Sequence, residues 1–282
     1  MQAFPEFKNM PSSFWPLVKF VSETLGYTLR RRGLVRAYTL DEISTLLIRY
    51  NIPIYEDMIF AVHDYCGKRT TLLNEQVRNM LMDSETARKA FEYLLDLHQR
   101  NYYLCRWPIN KQSGELKKVN YFTAMINILA EKTIRESPYH RNVYGPGFDD
   151  DPRGLVYVFD DNNNIIGASS RRYDGAYPGI INPKIVWEIK EYYYATSFGS
   201  RVADGVYETQ LDGYEFRQLR EQYDRDILHI FFIDAYKTWW VDGRPYLCRI
   251  IDILNSGLVD EVIVGKEVFT RWPELLSLVI KE

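Results

Sequence analysis

Ile185-Val186-Trp187-Glu188-Ile189-Lys190 is the stretch on which the fold turns. Its β-branched and aromatic residues suit a strand, and side chains on a strand alternate between faces. Ile185, Trp187 and Ile189 therefore share one apolar face. Glu188 and Lys190 share the other, roughly 6–7 Å apart along the chain. A carboxylate and an ammonium side by side are out of place on a strand otherwise built for a core. The plain structural account is an ion pair guarding a sheet edge; the functional one is a reactive pair at a strand end. Upstream, Arg171-Arg172-Tyr173-Asp174-Gly175 carries another acid. Thirteen residues separate Asp174 from Glu188, and Pro178, Gly179 and Pro183 are among them. Such residues turn a chain back on itself, so both acids can meet at one sheet edge.

The surroundings of that strand predict a mixed sheet. Short β runs occupy 155–160 and 165–169, with a turn at 161–164 between them. A helix fits 209–223. The run 227–235 is apolar enough for a sheet centre. A helix at 246–256 closes on Gly257, a short strand follows at 262–264, and a last helix spans 272–280. Ahead of the strands, 119–136 reads as a helix stopped by Pro138. The order predicts an α/β (α+β) core, a mixed central sheet flanked by helices.

Residues before 116 read as all-helical, from apolar spacings of three and four. Thr39 caps a helix through Ile43, Leu46, Leu47 and Tyr50 that Pro53 ends. Further helices fit 57–65, 74–82 and 84–99, the last capped by Ser84. The polar run 111–118, with Ser113-Gly114, is the best linker. Two domains are expected: helical 1–116 and sheet-bearing 117–282.

Composition narrows the function. The chain has 282 residues and a net charge of -3, with 46% hydrophobic and 26% charged residues. That is a globular balance, not a disordered one. Net acidity argues against indiscriminate polyanion binding but permits a local basic cleft. One basic segment exists: Lys8, Lys19, Arg30, Arg31, Arg32 and Arg36 stand against Glu6 and Glu23. It reads as a solvated surface or a phosphate-contacting patch. The three cysteines, Cys66, Cys105 and Cys248, are odd in number and far apart, which fits a reducing compartment. His63 and Cys66 have ligand-like spacing, but no second pair completes a zinc site. There is no signal-peptide pattern, no membrane-length apolar run, no phosphate-binding glycine loop and no internal repeat.

Two carboxylates plus a lysine have a clear chemical use. Magnesium takes hard oxygen donors and works with one or two carboxylates plus waters and a phosphate. The ion polarises the phosphate and activates a bound water. The lysine orients or deprotonates that water and stabilises developing charge.

In these residues and their element order, residues 117–265 resemble the PD-(D/E)xK nuclease superfamily: type II restriction endonucleases, RecB/Cas4-like nucleases and Holliday-junction resolvases. The resemblance implies a restriction-endonuclease-like fold. It makes Asp174 and Glu188 ligands of Mg2+, for which Mn2+ substitutes, and Lys190 the water-activating residue. A further acid often lies on the preceding helix, where Glu131 is the candidate and Glu136 the second. Tyr173 stands where the superfamily often has proline, and Asp160 or Asp161 is an alternative first acid.

Gln210-Leu211-Asp212-Gly213-Tyr214 matches the QxxxY pattern of the RecB/Cas4-like branch. On a helix, residues four apart share a face, so Gln210 and Tyr214 are expected to reach toward the metal or a phosphate. Tyr192-Tyr193-Tyr194, Thr196, Ser197, Ser200 and Arg201 form an aromatic, hydroxyl-rich stretch. Such residues contact phosphates and stack on bases, and Arg171 and Arg172 fit the same role. Trp239 and Trp240 fit a capped core. The expectation is a restriction- or defence-type DNA endonuclease acting on double-stranded DNA. A homodimer, a defence-system partner protein, no membrane, and a bacterial or archaeal cytoplasm with nucleoid association complete it. The alternatives are a RecB/Cas4-like exonuclease or nuclease subunit, against which its iron–sulfur cysteines are absent, and a non-catalytic DNA- or protein-binding module.

Overall fold

The computed structural model describes residues 1–53, 55–107, 119–139, 145–194 and 200–281; the side chains of Arg30, Ser200 and Arg201 are outside that description. The chain is mixed α/β. Helix α1 (Phe14–Leu25) leads to a two-stranded hairpin of β1 (Thr28–Leu29) and β2 (Leu34–Val35). Helix α2 (Leu40–Arg49) begins at Thr39, whose hydroxyl accepts from the Glu42 N–H while Glu42 accepts from the Thr39 N–H. Both orphan amides are thereby satisfied. The expected helices at 57–65 and 74–82 are one rod: α3 (Glu56–Thr71) continues through a wide π turn (Leu72–Val77) into α4 (Arg78–Met80). Helix α5 (Ser84–Arg100) is capped by Asp83, not Ser84; the Asp83 carboxylate accepts from the Thr86 N–H at 2.7 Å. The expected linker, 111–118, lies outside the described residues.

Helix α6 (Tyr121–Glu136) precedes the strands. The two β runs expected to join the sheet instead pair with each other. β3 (Tyr157–Phe159) and β4 (Ile165–Ala168) make a separate antiparallel hairpin. The central sheet has the order β5 (Gly175–Tyr177), β6 (Ile185–Glu191), β7 (Leu228–Asp234), β8 (Glu261–Val264). β5 runs antiparallel to β6, and the remaining pairs are parallel. Helix α7 (Ser200–Tyr223) makes the crossover from β6 to β7, and α8 (Arg244–Asn255) that from β7 to β8. Helix α9 (Arg271–Lys281) closes the chain.

Strand alternation places the helices. Trp187 and Ile189 of β6, Ile230 and Phe232 of β7 and Ile263 of β8 pack on α6 and α9, where Trp272 is fully buried. Phe231, Ile233, Val262 and Val264 point the other way, onto α8 and Val206 of α7. Val186 packs with Phe216 and Leu219 of α7 and with the β3–β4 hairpin. The sheet thus lies between two helical layers. Glu188 and Lys190 share parity with Val186 and face α7. Trp239 and Trp240 are buried in the α8-side core, as expected of a capped core. Among the described residues, no helix is long and apolar enough to cross a membrane.

Candidate active site

Asp174 stands one residue before β5, and the β5–β6 register sets Gly175 against Trp187. The Asp174 N–H donates to the Trp187 carbonyl at 3.0 Å. Its Oδ2 accepts from the Ile189 N–H at 2.7 Å. This double tether holds Asp174 beside Glu188. It needs glycine at 175, because a Cβ there would sit 2.1 Å from the Trp187 ring.

Glu188 is buried, and both its oxygens meet cations. Lys190 Nζ lies 2.5 Å from one, and Arg171 Nη1 lies 3.0 Å from the other. Lys190 also reaches Glu208 of α7 at 3.1 Å, and Arg171 grips Asp212 of α7 at 2.7 Å. The Lys190 stem lies against Gly205, where a Cβ would come within 2.9 Å of Cε. The site is therefore built between β6 and one stripe of α7: Asp204, Glu208 and Asp212, each four residues from the next. A cleft of about 380 Å³ opens over Asp174, Glu188 and Lys190, walled by Thr123, Glu191, Asp204 and Glu208. A second cleft, of about 450 Å³, shares Asp174 and Glu208 and runs to Arg153 and Arg172.

Charge is unevenly settled here. Burial alone would raise the Glu188 carboxyl, but Lys190 and Arg171 outweigh it and hold it below the usual range. Burial would lower the Lys190 ammonium, but Glu188 holds it above the usual lysine range. Asp174 fares differently. Withdrawal from bulk solvent, then the charge of Glu188, push its carboxyl up to about 8. Asp174 is exposed at the cleft surface, which works against that rise. Burial pushes Glu191 up to about 7. Glu191 Oε2 accepts from the Thr123 N–H and hydroxyl, at 3.0 Å each, while Oε1 is buried with no hydrogen-bond partner.

Asp174→Asn is expected to stabilise the fold near pH 8 and change it little near pH 4. The folded carboxyl is raised above its unfolded value of about 4, so the folded state holds its proton more tightly. That contribution is present below the unfolded value and lost as pH rises through the folded one. Asparagine keeps the acceptor for the Ile189 N–H without the charge. Urea titrations at both pH values, without divalent cations, check this; a variant less stable than its parent near pH 8 would contradict it.

Among the described residues, no group of three or more Asp, Glu, His or Cys side chains is gathered to hold a metal ion. Asp174 and Glu188 offer oxygen donors alone, which excludes a soft-metal site and fits a magnesium ion that keeps most of its waters. Each Glu188 oxygen has a second lone pair beyond its cation contact. The upward push on Asp174 marks a position where added positive charge is favoured.

Several expected site residues lie elsewhere. Glu131 is fully buried, and its carboxylate accepts from the Leu104 and Cys105 N–H groups at 2.7–2.9 Å, with Arg135 beside it. It fastens the segment after α5 to α6, so the third-acid assignment is corrected. Glu136 is exposed and paired with Lys132. Asp160 accepts from the Asn162 and Asn164 N–H groups in the β3–β4 turn, and Asp161 pairs with Arg225; neither lines the cleft over Glu188. Gln210 and Tyr214 hydrogen-bond to each other at 3.5 Å and line a different cleft with α1 and α8. Two residues on a helix are roughly 200° of rotation, so a QxxxY pair offset by two from Glu208 and Asp212 faces away from Lys190. Arg171 is spent inside the site on Glu188 and Asp212, while Arg172 is exposed on the second cleft.

The tyrosines after β6 are packed instead of presented. Tyr192 is buried beside Trp239, Tyr193 donates its hydroxyl to Asp234, and Tyr194 donates to the Val119 carbonyl at 3.4 Å. Thr196 and Ser197 lie outside the described residues. Ser200 and Arg201 are the first residues of α7, with side chains outside the description. Sequence reasoning missed Asp204, Glu208, Asp212 and Glu191. The signal was an acidic residue at every fourth position, hidden by starting the helix at 209.

Family models match both parts of the chain. Residues 82–279 match a domain of unknown function (DUF7687), and residues 1–76 match a second domain of unknown function (DUF7690). No curated protein and no solved structure matches it.

Proposed function

The chain belongs to the DUF7687 family, whose model spans the whole candidate site, and we propose that it is a magnesium-dependent DNA endonuclease of restriction or defence type. The observation that carries this reading is the tether between Asp174 Oδ2 and the Ile189 N–H at 2.7 Å, which sets Asp174 beside Glu188 and Lys190 at the floor of an open cleft. The antiparallel β5–β6 pair and the α7 crossover to a parallel β7 support a restriction-endonuclease-like core.

Asp174 and Glu188 would hold the cation, whose chemistry is to polarise the scissile phosphate and activate its water. Lys190 keeps its proton, since Glu188 stabilises the ammonium. Its role is therefore to orient the water and to meet charge developing on phosphate oxygens, not to act as base. Arg171 holds Glu188 in place from the α7 side. Arg153 and Arg172, along the second cleft, suit the DNA backbone on either side of the cut. The exonuclease alternative loses its particular support, because Gln210 and Tyr214 face another cleft.

The test is incubation of supercoiled plasmid and phage DNA with the protein in magnesium, beside an EDTA control. Discrete, EDTA-sensitive fragments are expected. Loss from linear ends alone would replace the endonuclease with an exonuclease. A mobility shift with no strand broken, in magnesium or manganese, would leave a binding module.

A further inference from the structure

Helix α7 has a second working face. Across it from Glu188, a cleft of about 520 Å³ lies between α1, α7 and α8. That volume falls within the roughly 300–1,000 Å³ of small-molecule sites. Trp15 of α1 lines it, with Tyr207 and Tyr214 of α7, whose side chains remain 54% and 50% exposed. Two acids on its wall are already neutralised: Glu23 by Arg249 at 2.6 Å and Asp252 by Arg69 at 2.8 Å. Two cations are not. Lys19 and Arg217 line the cleft without a carboxylate partner among the described residues. The Arg217 guanidinium donates to the Ser256 carbonyl and lies 5.7 Å from the Tyr214 ring centre. Arg249 adds a buried Nε with no hydrogen-bond partner.

We propose that this cleft binds a nucleotide, its base against the aromatic rings and its phosphate on Lys19 and Arg217. Each half of the lining excludes a simpler ligand. An apolar molecule leaves two cations unmatched, and an inorganic anion leaves the Trp15, Tyr207 and Tyr214 rings unused. A base stacks on such rings, and a guanidinium fork fits a phosphate. Residues 1–76 supply α1 and residues 82–279 supply α7 and α8, so a bound nucleotide bridges the two family units. The same α7 carries Glu208 and Asp212 on its opposite side, so the ligand rests on an element of the nuclease cleft without entering it. The inference stands apart from the nuclease reading, since it concerns another cleft and is read by binding.

Calorimetric titration of the full chain with AMP, GMP, CMP and UMP, against inorganic phosphate, tests it. At least one nucleotide is expected to bind with Kd below about 1 mM and at least about tenfold more tightly than phosphate. Lys19→Ala and Tyr214→Ala, both at exposed positions, should each weaken that binding about fivefold or more. Lys190→Ala should bind as the parent does, which separates this cleft from the catalytic one. No heat with any nucleotide would overturn the proposal, as would binding unchanged in both Lys19→Ala and Tyr214→Ala. Binding of oligothymidylate with no mononucleotide bound would overturn it in favour of a strand-binding surface.

Discussion

Lys190→Ala is expected to slow plasmid cleavage by roughly 10²–10⁴-fold while leaving the fold intact. The Lys190 ammonium lies in the cleft, 2.5 Å from Glu188 and 3.1 Å from Glu208. In the proposed reaction, removing it takes a fixed positive charge from the cleft in which a phosphate would gain negative charge as water attacks. The fold survives because Glu188 is not left alone: Arg171 remains 3.0 Å away and is itself anchored on Asp212. Lys190→Arg should rescue little. The stem already fills the space that Gly205 leaves on α7, and a guanidinium cannot enter without moving that helix. Single-turnover cleavage together with a thermal melt separates the two effects. A rate within about threefold of the parent, with an unchanged melt, would remove Lys190 from the mechanism.

The pairing of Glu188 with Lys190 was legible because strand parity is a hard rule. Once Trp187 and Ile189 face a core, the residues between and after them must face the other way. Helix faces were less legible. The four-residue spacing of Gln210 and Tyr214 fixes that they share a face, not which neighbour the face meets. That was decided by Val202, Val206, Phe216 and Leu219, whose burial turns Asp204, Glu208 and Asp212 toward β6 and Tyr207, Gln210 and Tyr214 toward α1. Glu131 misled for a related reason. A buried acid on a largely apolar helix signals specific partners, but besides Arg135 they are the backbone amides at 104–105, and no side-chain pattern encodes a backbone amide. β5 went unread as a strand because three residues are too few to show alternation. The β3–β4 hairpin was read correctly in kind but joined to the wrong sheet, since local pattern does not specify strand partners beyond the turn.

Asp252→Ala is expected to cost about 3–5 kcal/mol of stability, the largest loss foreseen for a single side chain outside the candidate cleft. Arg69 of α3 is fully buried and donates from Nη1 to both Asp252 oxygens, at 2.8 and 2.9 Å, and from Nη2 to the Ser22 hydroxyl. Tyr65 donates its hydroxyl to the same carboxylate at 2.6 Å. These bonds tie the unit at residues 1–76 to α8 in the unit at 82–279. Without Asp252, the guanidinium keeps its charge in a buried place, because arginine does not deprotonate there. The reverse truncation differs in kind. In Arg69→Met the volume is largely kept, and Asp252, whose side chain is 18% exposed, can be hydrated. The double variant Arg69→Met/Asp252→Ala should therefore recover most of what Asp252→Ala loses, since a buried ion pair exchanged for apolar packing is often near neutral. Urea titration of the four proteins gives the coupling directly. A double variant as unstable as Asp252→Ala alone would mean that the cost lies in lost packing at α8 instead of in the stranded charge of Arg69.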